Sequence, residues 1–164
     1  MSKALRIITK FDNILAKIEA VVLIAIVMIM TTVIFLQVVY RYILTQPLYW
    51  SEELARYLFV WLSILGATLA LQRRGHFRLD ILFRALPKQV KPYMRFLIHF
   101  LMGAVVFVIL MQGIILVQKT FLQESPAMGI SMAWAYASLP VGGALMALHL
   151  LVIFLKDWNS GRLE

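Results

Sequence analysis

Trp50-Ser51-Glu52-Glu53-Leu54-Ala55-Arg56 runs directly into Tyr57-Leu58-Phe59-Val60-Trp61-Leu62-Ser63-Ile64-Leu65-Gly66-Ala67-Thr68-Leu69-Ala70-Leu71, fifteen residues without a charge. At a rise of about 1.5 Å per residue, the helix from Leu54 to Leu71 would cover about 27 Å, close to the roughly 30 Å hydrocarbon core of a bilayer. Three further stretches meet the same requirement: Ala20 to Val39, Phe96 to Val117 and Ala133 to Leu155. With 62% hydrophobic and 15% charged residues, the composition lies far from that of a soluble domain. No ten-residue alternating segments suggest a barrel, and a backbone in lipid must satisfy its own hydrogen bonds. The expected fold class is an all-α integral membrane protein with four transmembrane helices over 20–39, 54–71, 96–117 and 133–155.

Thirteen of the sixteen lysines and arginines lie before the first span, between the second and third, or after the fourth. The positive-inside rule therefore puts both termini and the 72–95 loop in the cytoplasm. The net charge of +8 is a topological signal, and no basic soluble module suggests nucleic-acid binding. The first span is expected to be retained, because its uncharged core exceeds a signal peptide's and no small-x-small cleavage site follows. Absence of cysteine excludes disulfides, thiolate metal sites and thiol catalysis.

Two basic segments have amphipathic order. Over 3–18, Lys3, Arg6, Lys10, Asn13 and Lys17 alternate with Leu5, Ile8, Phe11, Leu15 and Ile18 at helical spacing, as in a helix lying on the inner leaflet. The 72–95 loop repeats the pattern, with Phe77, Leu79, Leu82, Phe83 and Leu86 around Arg78 and Arg84 before Pro87. Anionic phospholipid would hold both.

On the second helix, Glu52, Arg56, Ser63, Gly66, Ala67 and Ala70 fall within one sector, and Leu58, Trp61, Leu65 and Leu69 fall opposite. Small residues permit close helix approach, so the first face is expected against protein and the leucine face against lipid. Either Glu52 or Glu53 has the spacing to pair with Arg56. Ser138, Gly142, Gly143 and Ala147 mark a second close-packing face on the fourth helix, where Pro140 can introduce a kink. Polar residues within spans are few: Gln37, His99, Gln112 and His149. They make no carboxylate relay of the kind an autonomous ion-coupled pump needs. His99 and His149, at similar expected depth, leave open an autonomous four-helix protein, either a b-type cytochrome or a small exporter. No GxSxG, Walker loop, GxGxxG or HExxH is present, so no motif supports an enzyme.

Arg41-Tyr42, the run from Trp50 to Trp61, Gly66-Ala67, and Gly75-His76-Phe77-Arg78-Leu79-Asp80 together resemble the small membrane subunit of tripartite ATP-independent periplasmic (TRAP) transporters. Ser125-Pro126-Ala127-Met128-Gly129-Ile130, with Trp134, Tyr136, Leu139-Pro140 and Gly142, extends the resemblance across all four spans. The resemblance implies a bacterial inner-membrane scaffold for a separate large subunit, which carries the substrate and sodium sites and moves like an elevator. It also implies a periplasmic substrate-binding protein that delivers an organic acid such as a dicarboxylate, a sialic acid or a sugar acid. No cofactor is expected on this chain, and sodium is expected on the partner. The short polar tail after Trp158 implies that the large subunit is a separate polypeptide.

On this reading Glu52, Glu53, Arg56, Ser63, Gly66 and Ala67 form the large-subunit interface, the rival being pairing within the chain or with a lipid head group. Arg41, Gln46 and Lys119 are the expected contacts of the binding protein. Trp50, Trp134, Trp158, Arg73 and Arg74 are the expected membrane-interface anchors.

Overall fold

The computed structural model describes residues 3–74 and 90–159. The expected amphipathic helix over 77–86 lies outside them, as do Gly75 to Asp80 of the resemblance. The described chain is helical: α1 Lys3–Tyr42, α2 Tyr49–Arg74, α3 Lys91–Thr120, α4 Ala133–Tyr136 and α5 Ser138–Asn159. Four helical stretches are long and apolar enough to cross a membrane: Leu5–Tyr42, Tyr49–Arg73, Tyr93–Thr120 and Ala133–Asn159.

Each helix outruns its apolar core. The boundary expected between a separate helix over 3–18 and a span over 20–39 is absent, and α1 is one helix of 40 residues. Nothing in the sequence would end it: the first proline is Pro47, and no glycine precedes it. At about 60 Å it is about twice the bilayer core, so its basic first half must extend beyond the hydrocarbon. The span expected over 133–155 is instead two helices. Pro140 has no N–H for the carbonyl of Tyr136, and the chain breaks at Ala137, whose own N–H caps Ala133 at 2.8 Å.

The arrangement is a layer centred on α5. That helix packs against α1, α2 and α3, α1 also packs on α2, and α3 leans on α5 without comparable contact to α1 or α2. Two close approaches make this possible. A Cβ on Gly142 of α5 would overlap the side chain of Ile64 on α2, and one on Gly113 of α3 would sit 2.8 Å from Leu139 Cβ and Pro140 N. The small residues expected to matter on the fourth span thus include one that admits α2.

The seams repeat every seven residues. On α1 the buried positions include Leu5, Asp12, Glu19, Ile26 and Val33; on α3 they are His99, Val106, Gly113 and Thr120. A seven-residue repeat is the signature of helices crossing at a shallow angle. Two of the α1 positions in this otherwise apolar seam are carboxylates.

The leucine face of α2, expected against lipid, lies in part against the chain's own core. Leu65 and Leu69 are buried with Thr68 in the core, while Ser63 and Ala67 face outward. Within lipid both faces of a span are apolar, so hydrophobicity alone does not select the inner one. Burial follows the groups that have partners in the chain, and Thr68 is one of them.

Candidate functional site: a partner-facing helix and its two polar clusters

Two polar clusters fix α2 in the layer. The first is near the end of the layer where α1 begins and α5 ends. His149 of α5 is fully buried, with Nδ1 2.6 Å from Asp12 Oδ1 and Nε2 2.9 Å from Glu19 Oε1. The Thr68 hydroxyl of α2 lies 2.7 Å from Glu19 Oε2 and 2.7 Å from the Leu65 carbonyl. Gln72 Nε2 reaches Asp12 Oδ2 at 3.4 Å, and Lys156 Nζ lies 3.8 Å from the same oxygen. An imidazole carrying both ring protons would donate to both carboxylates. Asp12, Glu19, His149 and Lys156 then sum to zero charge, the condition under which buried ions persist in an apolar layer.

The second cluster lies at the loop end. Glu53, 3% exposed, accepts the backbone N–H groups of Ala127 and Met128 on one carboxylate oxygen, at 2.8 and 3.2 Å, and the Tyr57 hydroxyl on the other at 2.9 Å. The turn it holds is closed by Ser125 N–H to Ile130 O at 2.8 Å and Gly129 N–H to Ser125 O at 3.0 Å, with Gly129 at φ +64°. Positive φ is cheap for glycine, which explains its place in Ser125-Pro126-Ala127-Met128-Gly129.

These contacts redistribute the residues expected at the interface. Glu52, Arg56, Ser63 and Ala67 are exposed along one face of α2, and Gly66, half-buried, has open space where a side chain would project. Glu53 is turned inward and used by its own chain. No ion pair joins Arg56 to Glu52 or Glu53; Glu52 accepts instead from Gln37 Nε2 at 3.0 Å. The expected helical pair fails because each carboxylate has another partner.

Of the expected binding-protein contacts, Arg41, Gln46 and Lys119 are all exposed at the loop end. Arg41 and Glu52 share a cleft of about 410 Å³ with Gln37, Thr45, Pro47, Leu48 and Tyr49. Among the anchors, Trp50, Trp134 and Trp158 are exposed, as is Arg73, while the side chain of Arg74 is not described. Trp61 donates its indole N–H to the Trp134 carbonyl at 2.9 Å, tying α2 to α4.

The two histidines are engaged separately. His149 is bracketed by carboxylates, whereas His99 places Nδ1 2.8 Å from the Arg95 carbonyl and Nε2 3.6 Å from Asp157. This pairing leaves no ring nitrogen of His149 turned toward a ligand.

Residues 30–160 match the family described as tripartite ATP-independent periplasmic transporters, DctQ component. The chain belongs to this family. It is a small TRAP transporter subunit and a multi-pass membrane protein, and its family is one of transporter components rather than enzymes. It is 28% identical to the sialic acid TRAP transporter small permease protein SiaQ of Vibrio cholerae, over 85% of this chain and 80% of that one. It is 27% identical to the sialic acid TRAP transporter permease protein SiaT of Haemophilus influenzae, over 79% of this chain but 21% of the relative. It is 34% identical to the isethionate TRAP transporter permease protein DctMQ of Oleidesulfovibrio alaskensis, over 62% of this chain and 16% of the relative. The chain therefore spans about a fifth or less of the two long permeases and most of the small one.

Sequence reasoning missed Asp12 and Glu19. Their signal was present: both sit on the seven-residue repeat of Leu5, Ile26 and Val33, where an amphipathic surface helix would carry apolar residues.

Proposed function

We propose that this TRAP subunit is the stationary scaffold of a sodium-driven, binding-protein-dependent importer of an organic acid in a bacterial inner membrane. The outward face of α2 packs against a large membrane subunit that carries the substrate and sodium sites. The observation that carries this reading is the polarity of that face. Glu52, Arg56 and Ser63 point away from the chain's own core, and Arg56 has no carboxylate partner among the described residues. An arginine at such a position is costly against lipid and well placed against a protein surface offering acceptors. Both buried clusters are satisfied internally, which supports a packing role for this chain rather than a substrate site.

The relatives named for sialic acid and for isethionate support an organic acid as cargo. The basic end, with both termini, faces the cytoplasm and its anionic lipids. The opposite end, with the Arg41 cleft and the exposed 121–124 segment, faces the periplasm and receives the binding protein.

Copurification tests the scaffold reading. Arg56→Glu is expected to lower recovery of the large subunit at least fivefold, and uptake with it. Full recovery together with unchanged uptake overturns the interface. For the periplasmic end, Arg41→Glu is expected to raise the binding-protein concentration required for half-maximal uptake, and an unchanged requirement removes Arg41 from the contact.

A further inference from the structure

We propose that the outward side of the first half of α1 is a binding site for anionic phospholipid, with the phosphate head group held by Arg6, Lys10 and Lys17 and an acyl chain laid along Phe11, Ile14 and Ile18. The leaflet, the inner one, follows from the orientation proposed above.

α1 has three distinct sides here. Leu5, Asp12, Ala16 and Glu19 are buried on the side that packs against α2 and α5. At about 100° per residue, Phe11, Ile14 and Ile18 share a sector about 60° wide on the far side, and all three are exposed. Arg6, Lys10 and Lys17, also exposed, share a sector about 40° wide along one flank of that stripe. The two acids of this segment, Asp12 and Glu19, are turned inward and met by His149 and Lys156. Among the described residues, no carboxylate lies within ion-pair distance of Arg6, Lys10 or Lys17. The outward side of this stretch therefore carries positive charge and apolar surface, with no acid between them.

Depth in the membrane can be read across the helices. Asp12 is level with His149 and Lys156 of α5, and the next residue of α5, Asp157, meets His99 of α3. His99 lies just inside the apolar run that begins at Phe96, so Asp12 marks about where α1 leaves the hydrocarbon. Lys10 and Arg6 then lie about 3 to 9 Å further out, the depth of a head-group layer about 5–8 Å thick. Lys17, about 7 Å inside, reaches the same layer by snorkelling. Phe11, Ile14 and Ile18 lead from that layer inward, the direction an acyl chain takes.

Charge decides among occupants. An apolar stripe in a bilayer selects nothing by itself, because lipid and protein are equally apolar. A neutral lipid or an apolar helix would cover the stripe and leave the cations without an anion. An anionic phospholipid matches both parts at once, and each basic residue near an anionic head group is worth about fivefold in affinity. The helix stands against α5 rather than lying on the leaflet, since Leu5, Asp12 and Glu19 are buried along its length. Lipid is thus bound along its side.

Native mass spectrometry tests the site on the purified chain, alone and in complex with its large subunit, loaded with equal amounts of phosphatidylglycerol and phosphatidylcholine of the same acyl chains. Wild type is expected to retain phosphatidylglycerol at least fivefold over phosphatidylcholine. The double variant Lys10→Gln, Lys17→Gln should bring the ratio below twofold, whereas Lys119→Gln, which removes a charge at the other end, should keep it. Phe11→Ser with Ile18→Ser should lower retention of both lipids at least threefold. These side chains are exposed, so the variants keep the buried seam intact. A wild-type ratio below twofold, or an unchanged ratio in the double lysine variant, overturns the site. Loss of the preference on binding the large subunit assigns this face to that subunit and overturns it too. Orientation is read separately with a cysteine at Asn159→Cys, unique because the chain has no cysteine. Labelling by an impermeant maleimide only after cells are opened supports the inner leaflet. Labelling of intact cells overturns the leaflet and the orientation, while the lipid ratios still decide the site.

Discussion

Replacing His149 with leucine removes a fully buried side chain that touches two carboxylates and substitutes an apolar one of similar bulk. Cavity formation is therefore a minor contribution, and the cost is electrostatic. Asp12 and Glu19, 3% and 4% exposed, would remain in an apolar seam. Lys156 at 3.8 Å from Asp12 would be the nearest cation, and the Thr68 hydroxyl the remaining donor to Glu19. Removing one partner of a buried ion pair costs about 3–5 kcal/mol, because the other charge is left without compensation. For a chain of this size each kcal/mol moves Tm by about 2–4 °C, so His149→Leu is expected to lower Tm by about 6–20 °C. Thermal unfolding of the purified chain in detergent, followed by tryptophan fluorescence, measures this. The triple replacement Asp12→Leu, Glu19→Leu and His149→Leu removes the three buried ionisable side chains together and leaves Lys156, 22% exposed, with a path to water. It should return to within about 1 kcal/mol of wild type or exceed it, since apolar replacements of whole buried ion clusters are often neutral or stabilising. A single variant within 2 °C of wild type, or a triple variant as damaged as the single, would refute the electrostatic account (thresholds of about 1 kcal/mol).

Other substitutions separate intrachain packing from partner packing. Thr68→Val deletes the 2.7 Å bond to Glu19 and should cost about 1–3 kcal/mol in the same melt. Gly113→Ala drives a Cβ against the Pro140 backbone, which cannot rotate away, and should lower stability by about 1–3 kcal/mol. Gly66→Leu projects into open space, so it should leave the melt of the isolated chain unchanged while lowering recovery of the large subunit. Thr45 closes the end of α1 at φ 54°, with Gln46 N–H bonding the Tyr40 carbonyl at 3.0 Å. Thr45→Gly relieves a β-branched side chain in the left-handed region and should raise stability by about 0.5–1 kcal/mol in the same assay.

The site was legible in unequal parts. Arg56, Ser63, Gly66 and Ala67 do share a face of α2, because helical periodicity is local and the spacing alone sets it. Whether that face points inward is not local. It depends on Thr68 finding Glu19, 49 residues earlier, and on Gly142 admitting Ile64. Glu53 was grouped with Glu52 because adjacent carboxylates look alike in a sequence. What separates them is the pair of amides 74 and 75 residues downstream. His149 suggested a haem ligand only while its carboxylates were out of view.

Four apolar stretches, their helical form, the basic bias of one end and the TRAP motifs follow from the sequence alone, because hydrophobic length, backbone hydrogen bonding and charge placement act within a span. Only the tertiary structure decided that α5 is the central helix, that Leu65 and Leu69 of α2 turn inward, and that Asp12, Glu19 and His149 meet. Lipid and protein interior are equally apolar, so in a membrane hydrophobicity says where a helix crosses and little about which way it turns. The orientation is set by the few polar groups that must find one another across 130 or more residues of chain.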